Sequence, residues 1–165
     1  MIIWGFPNYE VKQTLNRHLL KNRYKVKDGD LLGAIDAIMD SLDEGNTEGF
    51  LEQLNVIFSV IPYQYFDKNR NEYFYAAQIL MFLQAGGLNV EAEKTVNRGR
   101  MDLVFNYNNH IYLIELKKDS ASTALKQIKE KEYHKQYSNH PCTLIGVALD
   151  FDNRRVTEWI IEDIS

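Results

Sequence analysis

The chain has 165 residues, 45% hydrophobic and 25% charged, with a formal net charge of −4, which suits one soluble globular domain with a core, or a domain plus a small helical extension. Its single cysteine, Cys142, excludes an internal disulfide framework and leans toward a reducing, cytoplasmic setting. No apolar run approaches the roughly 18–20 residues that cross a bilayer, so no membrane partner is expected.

The first third reads as helices. Asn8 is a reasonable N-cap for a helix whose apolar stripe is Val11, Leu15, Leu19 and Leu20. Asp28-Gly29-Asp30 breaks it, and a second helix follows with Leu31, Leu32, Ile35, Ile38 and Met39 inward. Thr47 caps a third, carrying Phe50, Leu51, Leu54, Ile57 and Phe58, which ends before Pro62. A helix over about 69–85 stops at Gly86-Gly87. Strands are expected over 88–95, 100–107 and 110–117. A long charged helix runs from Asp119-Ser120 to about Ser138, with Ala121, Ala124, Leu125 and Ile128 inward. The continuously apolar 143–149 reads as a strand buried on both faces, and 156–161 as a final strand. From residue 69 the order is α-β-β-β-α-β-β, an α/β arrangement behind a helical segment.

The stretches 100–107 and 110–117 read as a hairpin around Asn108-Asn109, because asparagine tolerates the left-handed conformation of two-residue turns. If Tyr107 pairs with His110, counting outward sets Asp102 opposite Glu115. Two like charges there destabilise the hairpin unless something positive lies between them, and a divalent cation such as Mg²⁺ takes carboxylate oxygens. Lys117 emerges on the same face as Glu115. Glu72 sits in the first turn of the 69–85 helix, in line with Ala76, Ile79 and Leu83, so its carboxylate follows the apolar face. Alone, Glu72 would be read as a favourable charge at the helix N-terminus; beside Asp102, Glu115 and Lys117 it reads as part of a site.

Helix-Glu72, strand-Asp102 and strand-Glu115-Leu116-Lys117, followed by a long helix, resemble the PD-(D/E)XK nuclease superfamily over about 69–161. That resemblance implies a restriction-endonuclease-like α-β-β-β-α-β core with a mixed sheet at 67–165, behind a small helical subdomain at 1–66. Met101 stands where the motif's name has proline, a residue often missing in the superfamily. The implied activity is hydrolysis of phosphodiester bonds of nucleic acid, with DNA the expected substrate. The implied cofactor is Mg²⁺ or Mn²⁺ on Asp102 and Glu115, with Glu72 holding a second ion or a metal-bound water. Lys117 would orient the attacking water or stabilise developing charge, and Gln127 would orient Lys117 or touch phosphate. Gly99-Arg100-Met101-Asp102, the 112–117 stretch, the 124–128 stretch and Tyr133 further resemble a bacterial family whose nuclease-like domain lies C-terminal to an AAA-ATPase-like module. The segment 6–11 and the helices after it resemble what precedes that domain there. This would make the chain a C-terminal piece of a longer protein; no G-x-x-x-x-G-K-[ST] phosphate loop occurs in it. The alternative from another class is a non-catalytic module that keeps the nuclease fold to bind nucleic acid or a protein.

The remaining features carry weaker readings. The opening Met1-Ile2-Ile3-Trp4-Gly5 lacks the basic start of a signal peptide. The net charge leaves nucleic-acid binding open, because binding follows local fields. Arg98 and Arg100 either contact substrate phosphate or neutralise the acidic site. Lys126, Lys129, Lys131 and Lys135 alternate with Glu130 and Glu132, the pattern of a solvated helix face rather than a nucleic-acid patch. The histidines lack zinc-ligand spacing. Tyr63, Tyr65, Phe66, Tyr73, Phe74 and Tyr75 read as packing in preference to base stacking.

Overall fold

The computed structural model describes residues 9–68, 70–96 and 99–164, with side chains described outside 9–10 and 91–101. Its helices are α1 (Tyr9–Asn22), α2 (Asp28–Asp43), α3 (Thr47–Val60), α4 (Tyr63–Asp67), α5 (Glu72–Ala85) and α6 (Ala121–Lys131). Its strands are β1 (Val90–Val96), β2 (Gly99–Tyr107), β3 (His110–Lys118), β4 (Cys142–Asp150) and β5 (Arg155–Ile164). The strands form one sheet in the order β1-β2-β3-β4-β5. Only the β3–β4 pair is parallel, joined by the α6 crossover. This is the mixed-sheet α/β fold expected.

Several local expectations change. Asp28, Gly29 and Asp30 do not break the chain but form the first turn of α2, where both acids meet the positive helix end. The N-cap of α3 is Asn46, not Thr47; its side chain accepts from the Gly49 N–H. Asn71 caps α5 in the same way, accepting from the Phe74 N–H at 2.9 Å, so Glu72 is the first helical residue. Asn8, the expected cap of α1, lies outside the described residues. Of the stripe expected on α1, Leu20 is buried while Val11 and Leu15 are exposed, and Leu32 of α2 is exposed as well. The long helix expected to reach Ser138 stops at Lys131, because Glu132 turns left-handed (φ 52°) and a 3₁₀ turn, Tyr133–Tyr137, follows. That turn sinks Tyr133 into the core.

The sheet separates two apolar layers. On one face Leu103, Phe105, Ile114, Leu116 and Val147 join Leu20, Ile38, Phe50, Leu54 and Phe82 in one continuous core shared with α1, α2, α3 and α5. Phe105 stacks on Tyr112 (centroids 4.8 Å apart) and tilts against Phe50 of α3, tying the hairpin to the helical layer. On the other face Val104, Leu113 and Leu144 pack against Leu125, Ile128 and Tyr133 from α6 and the turn after it. A glycine sets that contact. Gly146 is the register partner of Glu115, and a Cβ there would lie 2.4 Å from the Ala121 carbonyl oxygen and 2.6 Å from the Leu125 nitrogen. The missing side chain lets α6 lie directly on β4.

Candidate active site

The hairpin turn is as its sequence requires: Asn108 and Asn109 both have positive φ (51° and 63°). The paired register runs from Tyr107↔His110 to Leu103↔Ile114 and stops one residue short of Asp102. Beyond that point β2 stays paired with β1, from Lys94↔Met101 to Val96↔Gly99. The N–H groups of Leu116 and Lys118, next in line for β2, are taken by carboxylates instead. Asp102 Oδ2 accepts from Leu116 N at 2.8 Å, and Glu72 Oε1 accepts from Lys118 N at 3.2 Å. Asp102 and Glu115 therefore meet at a fork between strands rather than on a ladder rung. Both point to the α6 side, as the alternation of β2 and β3 dictates.

A cavity of about 290 Å³ opens in this fork, lined by Glu72, Tyr73, Asp102, Glu115, Lys117, Gln127 and Lys131. Glu115 is 2% exposed. Burial, and then the neighbouring Asp102 charge, push its pKa up to about 7, against the pull of Lys131 and Lys117. Asp102 is likewise raised, chiefly by burial, with the Leu116 N–H and the two lysines opposing. Lys131 Nζ lies 2.8 Å from Glu115 Oε1. The other oxygen, Glu115 Oε2, is buried with no hydrogen-bond partner among the described residues. Burying a polar oxygen this way costs on the order of 1–3 kcal/mol unless something pairs with it.

These residues fit a divalent ion. Among the described residues no group of three or more His, Cys, Asp or Glu is close enough to share a metal. The available donors are Asp102 and Glu115, with Glu72 engaged at the Lys118 N–H. Mg²⁺ is commonly held by one or two carboxylates, with waters and substrate phosphate completing its shell. The buried Glu115 Oε2, without a partner among the described residues, is the acceptor such an ion would meet.

All five residues expected to carry the chemistry, Glu72, Asp102, Glu115, Lys117 and Gln127, line the one cavity. Arg98 lies outside the described residues, as does the side chain of Arg100. Two lining residues were read otherwise from sequence. Lys131 is not on a solvated face; it falls three residues after Ile128 and seven after Ala124, on the inward stripe of α6, and that spacing is the signal for it. Tyr73 is not core packing but 54% exposed at the cavity rim. Tyr63 is likewise exposed, whereas Phe66 and Tyr75 are buried.

A mixed sheet flanked by helices, with an acid from the first core helix, an acid from the second strand and Glu-x-Lys on the third, defines a restriction-endonuclease-like domain. A family model described as the PD-(D/E)XK nuclease superfamily matches residues 70–159, and the chain belongs to that superfamily. It is also similar to a protein of Azotobacter chroococcum mcd 1 described as "Uncharacterized protein in vnfD 5'region". The two are 31% identical over 167 residues, 96% of this chain and 32% of that protein. The chain thus spans about a third of the length of this relative. No solved structure matches. No helix among the described residues is long and apolar enough to cross a membrane.

Proposed function

We propose that this domain is a Mg²⁺- or Mn²⁺-dependent nuclease that hydrolyses phosphodiester bonds of nucleic acid, with DNA the first substrate to test. One observation carries the reading: Glu72, Asp102, Glu115, Lys117 and Gln127 line one cavity in which the buried Glu115 Oε2 has no partner among the described residues. Asp102 and Glu115 would hold a divalent ion, whose charge would polarise the phosphate and acidify a water. The Leu116 N–H fixes the orientation of Asp102, and the Lys118 N–H fixes Glu72 at the cavity rim. Lys117, with no side-chain hydrogen bond or ion pair among the described residues, is available to hold the attacking water or the phosphate oxygen. Gln127 lines the cavity from α6, where it can orient Lys117. In the same reading the domain serves a longer chain with an AAA-ATPase-like module; the support is the resemblance of the 6–11 segment and the helices after it.

One observation favours the second reading, a non-catalytic nuclease-fold module. The Lys131 ammonium already neutralises Glu115, which is what a retired metal site would need. Melting curves with and without Mn²⁺ separate the two, together with cleavage assays on plasmid, linear duplex, single-stranded DNA and RNA. The nuclease reading expects stabilisation by Mn²⁺ and cleavage of at least one substrate, both lost in Asp102→Asn, and cleavage lost in Lys117→Ala. A wild-type protein that Mn²⁺ does not stabilise, and that cuts none of these, leaves the binding module.

A further inference from the structure

A second cavity, of about 780 Å³, lies apart from the acidic one. It is an open cleft between the start of α2, the end of α3 and the turn joining β4 to β5. Its charged lining is Lys25, Lys27, Arg154 and Arg155 against one acid, Asp30. Among the described residues no carboxylate pairs with Lys25, Lys27 or Arg155, while Arg154 lies 4.0 Å from Asp67.

Local structure would favour other residues at three of these positions. Lys25 and Arg154 both have φ 56°, a conformation cheaper for Gly or Asn. Lys27 is the N-cap of α2, makes no capping bond, and sets a positive charge at the positive end of the helix. Cations kept where the fold disfavours them point to a ligand rather than to packing.

The two clefts open at the same end of the sheet. In the parallel β3–β4 pair, Lys117 lies opposite Ala148 and Lys118 opposite Leu149, and the turn begins at once with Phe151. Lys118 Nζ sits 5.8 Å from the Phe151 ring centroid. Arg70, two residues before Glu72, is 3.0 Å from Asp152, two residues before Arg154. Each cleft also carries one exposed tyrosine, Tyr73 at the acidic cavity and Tyr63 at the basic one, with Arg154 5.7 Å from the Tyr63 ring. Exposed rings beside a positive groove can stack on unpaired bases; in a duplex the bases are already stacked on one another.

We infer that the basic cleft holds the phosphate backbone of a single-stranded segment of nucleic acid that continues into the acidic cavity, with Tyr63 and Tyr73 as base platforms. This rests on the nuclease reading and names its substrate form. The test is fluorescence anisotropy with labelled single-stranded DNA, single-stranded RNA and a DNA duplex of the same sequence, across a salt series. The proteins are wild type, Lys27→Ala/Arg155→Ala and Tyr63→Ala, each checked by melting with and without Mn²⁺. Wild type is expected to bind one or both single strands at least about tenfold more tightly than duplex. The double variant should lose about tenfold or more and flatten the slope of log K against log salt by about 1.4, as two lost phosphate contacts on a single strand require. Tyr63→Ala should lose at least about fivefold, the low end for one stacked base. All three should melt alike and keep their Mn²⁺ response, because none of these side chains lines the acidic cavity. Unchanged affinity in both variants, or duplex bound as tightly as single strand, overturns the inference. So does a wild type that binds no nucleic acid: a retained Mn²⁺ response then leaves the metal site standing, and its absence removes the nuclease reading too.

Discussion

Lys131, in the last turn of α6, holds its ammonium 2.8 Å from Glu115 Oε1 in the interior of the acidic cavity, where Glu115 is 3% and Lys131 15% exposed by side chain. Loss of one partner from a buried pair leaves the other charge uncompensated, at a cost of about 3–5 kcal/mol. Lys131→Met keeps the apolar stem and removes the charge. We expect it to lower stability by about 3 kcal/mol at pH 8, and by much less at pH 5, where Glu115 takes up a proton. Adding Glu115→Gln should recover most of the loss. Urea melts of wild type and the two variants at both pH values check this. With the competing ammonium gone, stabilisation by Mn²⁺ should also be larger in Lys131→Met than in wild type.

The folded protein should lose stability as pH rises from about 4.5 to about 7. Glu115 titrates at about 7 when folded, against an ordinary value of 4.5. Between those values the native state binds the proton that the unfolded chain has released. The favourable contribution is therefore complete below the lower value, falls through the window and is gone above it. At 1.36 kcal/mol per pKa unit the full effect is about 3 kcal/mol. Asp102, also raised by burial, tilts the curve the same way. Glu115→Gln should remove most of this slope, measured as unfolding free energy against pH. Metal affinity should run opposite, weakening as pH falls through about 7, because the bound ion needs the ionised carboxylate.

Asp102→Asn separates charge from hydrogen bonding. The amide oxygen can still accept from the Leu116 N–H, while the repulsion on Glu115 disappears. The expected outcome is a melting temperature equal to or above that of wild type without metal, and no response to Mn²⁺. Asp102→Ala is a poorer probe, since it also leaves the Leu116 N–H without its acceptor, a loss of about 1–3 kcal/mol that offsets the gain.

Gly146→Ala tests how α6 is placed. The new methyl would meet helix backbone, at 2.4 Å from the Ala121 oxygen and 2.6 Å from the Leu125 nitrogen, so the helix itself has to move. Overpacking of this kind costs about 1–3 kcal/mol. Because Lys131, which pulls the Glu115 pKa down, rides on the same helix, its displacement should also raise that pKa further and steepen the pH slope assigned to Glu115. Melting temperature and the pH series read the two effects separately.

The site was legible because its address depends on a count. Asn108-Asn109 fixes the turn, the turn fixes the register, and the register brings Asp102, Glu115 and Lys117 to one face. The strands were readable for a related reason, as β4 is buried on both faces and carries no polar interruption between Leu144 and Leu149. Lys131 was harder to read because alternating lysines and glutamates look solvated. Only the phase relative to Ala124 and Ile128 distinguishes it, and the helix was also expected to run seven residues further. Tyr63 and Tyr73 were obscured by their neighbours. α5 is apolar nearly all round, so periodicity does not separate its buried rings from its exposed one. The fork in the hairpin has no sequence signal, since it arises where carboxylates replace a partner strand.

That fork gives the molecule a pair of internal reporters. The amide protons of Leu116 and Lys118 are donated to carboxylates whose charge state and occupancy define the cleft. In nuclear magnetic resonance the Leu116 amide shift should follow ionisation of Asp102, and both amide shifts should move when a cation draws those oxygens away. Two backbone signals in one strand would thus read the site directly, with no substrate and no assay of cleavage.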